Sequence, residues 1–270
     1  MNEKVNIIGI DPAPSKNSTV FDGNKFHDYD VCGLLEYINN LEGNVLLCWD
    51  APLLVPKPKG KQDLYTRPIE AFFRTLGLPN GISVLGYAGC PHWTVSQYVL
   101  GYPEIGKMKL NNNTDQYKLI KPSNQEKYVN MKGKYVVEVH PALALYLWFE
   151  YGEYKFQTPS DGWKYKGNVY KYPKIKSNLC DHISKIVGLT KKLSISVSAI
   201  PEDDDQLDAY IAWLLGELWL SQQNSASDII KLIGDDDGYF LLPDVKIHNN
   251  ELLSEVYYDP LKSSQPKIIK

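Results

Sequence analysis

Long apolar runs are missing from this chain of 270 residues. No stretch approaches the roughly 18 apolar residues of a membrane span, and the N-terminus lacks the apolar region of a secretory signal. A cytoplasmic protein with no membrane partner is therefore expected. Cysteine is scarce: Cys32, Cys48, Cys90 and Cys180 are scattered, with no CxxC pair. Cys32 and Cys48 fall in apolar segments and read as buried thiols of a reducing compartment. Cys90 with His92 is half of a zinc pattern, but no second pair follows it. Nor does one sign of charge dominate, since 29 Lys and Arg stand against 32 Asp and Glu for a net charge of -3. That balance argues against non-specific coating of nucleic acid, while leaving room for a local basic groove. No GxSxG or GxxxxGK[ST] motif occurs, which removes serine hydrolases of that type and P-loop enzymes.

What the chain does have is an apolar fraction of 43%, enough for the core of one large domain with insertions or of two small ones. Its first organised stretch is KVNIIGIDPAPSKNSTV, 4–20. Val5, Ile7, Ile8 and Ile10 form a short β-branched run that predicts a buried strand closing on Asp11. Pro12 has no amide donor and marks where strand pairing stops. Residues 17–22 and 25–30 flank Gly23-Asn24, a hairpin turn, so three antiparallel strands are expected to open the fold. Leu34, Leu35, Ile38 and Leu41 have helical spacing, and Gly43 closes that helix. NVLLCWDAPL, 44–53, then repeats the opening pattern: an apolar strand, an aspartate (Asp50), and a nearby proline. A crossover helix between two such strands makes them parallel, with both C-terminal ends on one sheet edge.

Further on, 67–76 (RPIEAFFRTL) predicts a short amphipathic helix, 95–100 another, and 106–134 a polar surface excursion. Residues 135–140 (YVVEVH) read as a strand and 141–149 as a helix. In 151–176, lysines 155, 164, 166, 171, 174 and 176 interleave with Tyr154, Trp163, Tyr165, Tyr170 and Tyr172. This segment is either a nucleic-acid groove, with aromatics for bases and lysines for phosphates, or a β-hairpin with a lysine-guarded edge. A helix is expected at 178–187. The strongest helix is 202–220, EDDDQLDAYIAWLLGELWL, whose acidic start suits the positive end of its dipole. Its stripe of Ala209, Ala212, Trp213, Gly216 and Leu220 fits close packing on a sheet. The tail at 234–243 predicts a turn, made by Asp235 to Asp237, and one more short strand.

Four carboxylates converge in this topology. Asp11 and Asp50 close neighbouring strands, and Asp205 and Asp208, three apart, point from one helix face. Gathered carboxylates repel one another, and a divalent cation is the usual remedy. All-oxygen ligation favours Mg²⁺ or Mn²⁺, and two such ions suit phosphodiester hydrolysis by activated water. The alternatives are local: Asp11 as a turn former before proline, and Asp205 and Asp208 as capping acids, although Asp208 lies too far into the helix for capping to explain it. Asp203 and Asp204 read as solvated. Glu138, alternating with Val137 and Val139, is either a fifth ligand or a lysine partner. His140 either orients water or phosphate or is a hydrogen-bonded structural residue. Arg67, Glu70 and Arg74 share a helix face as a surface ion-pair ladder, or present arginine to phosphate.

The blocks GIDPAPS, CWDAPL, RPIEAFFRTLG, VVEVHPALAL and DDDQLDAYIAWLLGEL, with GDDDGYFLLP at the end, resemble the DUF429 family of predicted ribonuclease H-like nucleases. The spacing Asp…Asp…DxxD is also similar to that of Holliday-junction resolvases, where the second acid is often glutamate rather than an aspartate like Asp50. The resemblance implies an α/β ribonuclease H-like mixed sheet, with antiparallel hairpin strands plus parallel strands flanked by helices. It implies one domain with insertions around 54–134 and 151–200. It further implies a two-metal site of Mg²⁺ or Mn²⁺ on Asp11, Asp50, Asp205 and Asp208; Glu138, from its place on the strand and not from the resemblance, is expected as a further catalytic acid. Arg67 and Arg74, from a motif that the family shares, would contact a nucleic-acid substrate; His140, and Lys164 and Lys166 in a segment without a match to the family, are expected as further contacts from the chain's own residues. Two other functions compete: a non-catalytic interaction or scaffold protein retaining the fold, and an actin-like ATP-using phosphotransferase. The second needs glycine-rich phosphate loops, and PAPSKNS after Asp11 has none.

Overall fold

The first apolar run forms the strand β1 (Val5–Asp11), the centre of a six-stranded mixed sheet. The computed structural model describes residues 4–54, 66–85, 90–101, 116–124, 131–152, 158, 162–221, 230–247 and 250–258. On one side β1 pairs antiparallel with β2 (Ser18–Phe21), and β2 with β3 (Phe26–Tyr29). The turn between them is held by Asp22, whose carboxylate accepts from the Asn24 and Lys25 amides, with Gly23 at φ +88°. On the other side β1 pairs parallel with β4 (Asn44–Trp49), β4 with β6 (Lys134–Glu138), and β6 with the two-residue β5 (Lys118–Leu119). The crossover from β3 to β4 is helix α1 (Val31–Asn40), capped by Asp30 through the Gly33 amide. The sheet order is β3-β2-β1-β4-β6-β5.

Both faces of the sheet are covered, which is why its parallel strands read as unbroken apolar runs. Ile8, Ile10, Val45, Leu47, Trp49 and Val136 pack with α1 and with α3 (Trp93–Leu100). The Trp49 indole N–H donates to the Ser96 hydroxyl at 2.8 Å, satisfying a fully buried donor. The residues between them, Ile7, Leu46, Cys48 and Val137, belong to the larger core on the opposite face. That core includes α2 (Pro68–Thr75), α4 (Pro141–Glu150), α5 (Ile175–Lys192), α6 (Asp204–Ser221), the hairpin β7–β8 (Ile230–Asp235, Gly238–Pro243) and α7 (Leu253–Tyr258).

Helix α6 lies directly on β1. A Cβ placed on Gly9 would stand 2.0 Å from the Ala209 carbonyl oxygen, and one on Gly216 2.5 Å from the Cys48 sulfur. Only glycine at both positions permits this approach. The small-residue stripe of α6 thus packs as the sequence implies.

Several local expectations need correction. Cys32 is exposed, because it opens α1 on its solvent side; Cys48 is buried. The described residues of 106–134 are not a surface excursion: β5 adds to the sheet, and Tyr117, Ile120 and Met131 are buried. The stretch 234–243 forms the expected turn, held by Asp235 accepting from the Asp237 and Gly238 amides, and the expected strand β8, from which Leu241 bridges to Val139 beyond β6; the partner strand β7, which begins at Ile230, is an addition to the sequence reading. No strand forms among the described residues of 151–176. There Trp163 and Tyr165 are core residues, and Tyr170 points to solvent. Among the described residues no helix is long and apolar enough to cross a membrane.

Candidate metal centre

The Asp50 amide donates to the Ile10 carbonyl at 3.0 Å, continuing the parallel ladder by one rung. Asp11 and Asp50 are thereby set side by side at the C-terminal edge of β1 and β4, where open α/β sheets place their sites. Their parity along the strands is that of Gly9 and Cys48, the residues that face α6. The close approach at Gly9 brings the first turns of α6 over this edge, and Asp208 immediately precedes Ala209. Asp11, Asp50 and Asp208 each offer a carboxylate oxygen, and these oxygens lie within 4.8 Å of one another. Asp11 is 4% exposed and Asp208 1%, whereas Asp50 is half-buried, so the group meets solvent on the Asp50 side.

Burial governs the electrostatics here. It pushes the Asp11 carboxyl up to about 7, with Lys166 and Lys16 opposing and Asp205 adding. It raises Asp50 well above the usual carboxylate range, helped by the Asp11 charge and opposed by Lys166. A buried carboxylate beside others holds its proton unless a cation compensates. Two lysines partly do so. Lys166 forms an ion pair with Asp208, whose other oxygen accepts from the Tyr165 hydroxyl at 2.7 Å. Lys16 forms an ion pair with Asp205. The loop carrying Lys16 is anchored where the Ala13 amide donates to the Ser18 hydroxyl at 3.0 Å. Asp205 therefore stands beside Asp11 but outside the group of three.

Asp203 supplies the helix cap. Its carboxylate accepts from the Gln206 amide at 2.8 Å, while its carbonyl accepts from the Leu207 amide. Asp203 is thus not merely solvated, and Asp205 and Asp208 are released from capping.

Glu138 is not brought to the group. Its register partner on β4 is Trp49, not Asp50, so it has the parity of the opposite face. Arg67 forks onto it, Nη1 donating to Oε2 at 2.7 Å and Nη2 to Oε1 at 2.5 Å, and the Leu53 amide donates to Oε2 at 2.9 Å. Arg67 also donates from Nε to Glu70 at 2.6 Å and lies over the Phe240 ring at 5.5 Å. At 1% exposure it is a buried strut and presents no face to a substrate. The surface ladder imagined for Arg67 and Glu70 is an internal one.

Arg74 is turned toward the Val84 carbonyl (3.3 Å) and the Thr66 hydroxyl (3.4 Å). His140 caps α4, its Nδ1 accepting from the Leu143 amide at 3.4 Å, with its ring edge-on to Phe240. Burial pushes His140 down to about 4. Lys164 lies over the Tyr172 ring at 4.3 Å. Of the five expected substrate contacts, Lys166 alone reaches the group of three.

Lys16 and Tyr165 are the residues that sequence reasoning passed over. Tyr165 stood in the Lys/Tyr segment only as an aromatic for stacking on bases, not as a hydroxyl that donates to Asp208. Cys90 and His92 flank the same region. Burial pushes the Cys90 thiol up to about 12, with the Asp50 charge adding, and pushes His92 down, with Lys166 and Lys16 adding. Neither joins the group of three carboxylates.

The donor set is wholly oxygen and largely buried, and of the two nearby lysines only Lys166 is paired with one of its three carboxylates. That chemistry fits a hard divalent ion such as Mg²⁺ or Mn²⁺. In comparisons with family models, with curated proteins and with solved structures, no match to the chain was found.

Proposed function

We propose that this protein is a divalent-metal-dependent phosphodiester hydrolase, a nuclease of the ribonuclease H-like kind acting in the cytoplasm. The observation that carries the reading is the convergence of Asp11, Asp50 and Asp208, from three separate elements, to within 4.8 Å. The strand order β3-β2-β1-β4-β6, with its antiparallel opening and an acidic helix over β1, supports the fold assignment. Asp11, Asp50 and Asp208 would hold Mg²⁺ or Mn²⁺. Such an ion, when bound, supplies Lewis-acid stabilisation of the charge that builds as water attacks phosphorus. The chain's own residues do the rest. Asp205 adds negative charge beside Asp11, and Tyr165 fixes the Asp208 carboxylate through one oxygen. Lys16 and Lys166 place positive charge where the phosphate of a nucleic acid would approach.

One observation favours a second reading, a non-catalytic protein retaining the fold: Lys166 and Tyr165 already engage both oxygens of Asp208. Calorimetric titration with Mn²⁺, together with cleavage of labelled single- and double-stranded DNA and RNA in Mn²⁺ and in EDTA, separates the two. The nuclease reading expects Mn²⁺ binding and Mn²⁺-dependent cleavage, both lost in Asp208→Asn. Mn²⁺ binding without cleavage of any nucleic acid would leave the second reading standing, and no Mn²⁺ binding at all would remove the metal site itself.

A further inference from the structure

We infer that Lys166 is a tethered competitor for the metal: its ammonium occupies the acid group in the metal-free protein and leaves Asp208 when a divalent ion binds. This rests on the metal-site reading above. Lys166 combines an exposed stem with a buried destination, since its side chain is 41% exposed and that of Asp208 1%. A lysine drawn from solvent to a buried carboxylate does the work of a counter-ion there.

The backbone that carries it is fixed. Trp163 stacks on His182 with ring centroids 5.5 Å apart and meets the edge of Tyr146 at 5.0 Å. The His182 ring nitrogen Nε2 bonds the Gly162 carbonyl at 2.9 Å, and Tyr165 is tied to Asp208 itself. Gly167, at φ +114°, turns the chain away directly afterwards. Entry and withdrawal of the ammonium therefore need only rotation of the four-carbon stem, with no movement of the segment.

Charge decides which cation stays. Asp11, Asp50 and Asp208 fully ionised carry three negative charges. One ammonium leaves two uncompensated, whereas one divalent ion leaves a single one. A lysine held at the same carboxylate would repel that ion across a few ångströms in a site screened from water. Displaced from Asp208, the ammonium stays tethered at the half-exposed mouth of the group, where an anionic phosphate is its natural partner. Metal loading and phosphate binding are thus coupled through one side chain.

The test is Mn²⁺ titration calorimetry on the wild type and on Lys166→Met and Lys166→Arg, with thermal melting in EDTA. Removing the charge is expected to tighten Mn²⁺ about tenfold, the scale on which groups around a site move metal affinity. It is also expected to lower the metal-free melting temperature, while Lys166→Arg keeps wild-type affinity. A measurement on the unaltered chain makes the conclusion independent of how the variants fold: acylation of Lys166, mapped by peptide mass, with and without Mn²⁺. The rate is expected to rise when Mn²⁺ binds. If Mn²⁺ binds the wild type but labelling is unchanged and Lys166→Met binds no tighter, the competition is overturned and the metal site stands. If neither chain binds Mn²⁺, the metal site falls and this inference falls with it.

Discussion

Replacing Gly9 with alanine tests how the site is assembled without touching any of its acids. The added methyl would lie 2.0 Å from the Ala209 carbonyl oxygen, 2.5 Å from the Trp213 amide nitrogen and 2.8 Å from the Trp213 Cβ. These are atoms of the α6 backbone and its root, not the far end of a flexible side chain, so the helix itself must give way. Carbon and oxygen at ordinary contact distance require a retreat of about 1 Å or more. Asp208 precedes Ala209 and moves with it, away from Asp11 and Asp50. Metal–oxygen distances tolerate only about 0.2 Å, so a shift of this size is expected to abolish tight Mn²⁺ binding. Overpacking of a dense core costs about 1–3 kcal/mol, and a rigid backbone neighbour puts this case at the upper end. At about 2–4 °C per kcal/mol for a chain of this size, the melting temperature should fall by about 6–12 °C. Gly188→Ala is the control: it sits in α5, an added Cβ meets no described atom within 4 Å, and a gain of about 0.5–1 kcal/mol is expected. Melting in EDTA and calorimetric titration with Mn²⁺ read both effects. If Gly9→Ala melts with the wild type and binds Mn²⁺ equally well, α6 does not position Asp208 in the way argued.

Three further outcomes follow from particular contacts. Glu138→Gln removes the bidentate charge-assisted pair with the buried Arg67, which keeps Glu70 as counter-charge, and should cost about 1.5–3 kcal/mol in urea unfolding; because Glu138 is not one of the three gathered carboxylates, Mn²⁺ binding should persist in the folded protein. Asp11→Asn should melt above the wild type in EDTA at pH 8, and the stabilisation given by Mn²⁺ should vanish. The sign follows from the raised Asp11 value of about 7: the folded state holds that proton more tightly than the unfolded one, so the metal-free wild type loses stability as pH rises from about 4 to 7. His182 works in the opposite direction. Burial pushes it down to about 4, and among the described residues its Nδ1 has no hydrogen-bond partner, so between pH 6.5 and about 4 the unfolded chain binds the extra proton and stability falls as pH falls. The stability difference between the wild type and His182→Phe, from urea unfolding at several pH values, should change by about 1.4 kcal/mol per pH unit in that window; a flat difference would show that the imidazole is not held neutral.

The strands were legible because both their faces are buried, and Asp11 and Asp50 stood out because each interrupts an apolar run at a strand end. Asp208 was legible for a related reason: it borders the small-residue stripe of α6, where a solvated charge has no place. Residues whose roles depend on register or on distant partners were misread. Alternation along β6 shows that Glu138 faces away from Val137 and Val139, but not which face bears the acids. That question is settled across the sheet, where Glu138 aligns with Trp49 and Asp50 continues one residue further. Arg67 shows the same limit: its pairing with Glu70 is a local spacing, while the partner that makes it internal is 71 residues away.

The roles of Asp205 and Asp208 also depend on a distant contact. Three residues apart on a helix, they share a side but sit almost one turn apart along the axis. With Asp203 taking the cap, the carboxylate nearer the helix start reaches Lys16 and the flank of Asp11. The one a turn deeper lies over the strand ends, where the Gly9 contact sets its height. A sequence motif places both acids on the correct side. Which of them can share a cation with Asp11 and Asp50 is decided by how closely the helix approaches the sheet, and that distance is set by a glycine nearly two hundred residues earlier in the chain.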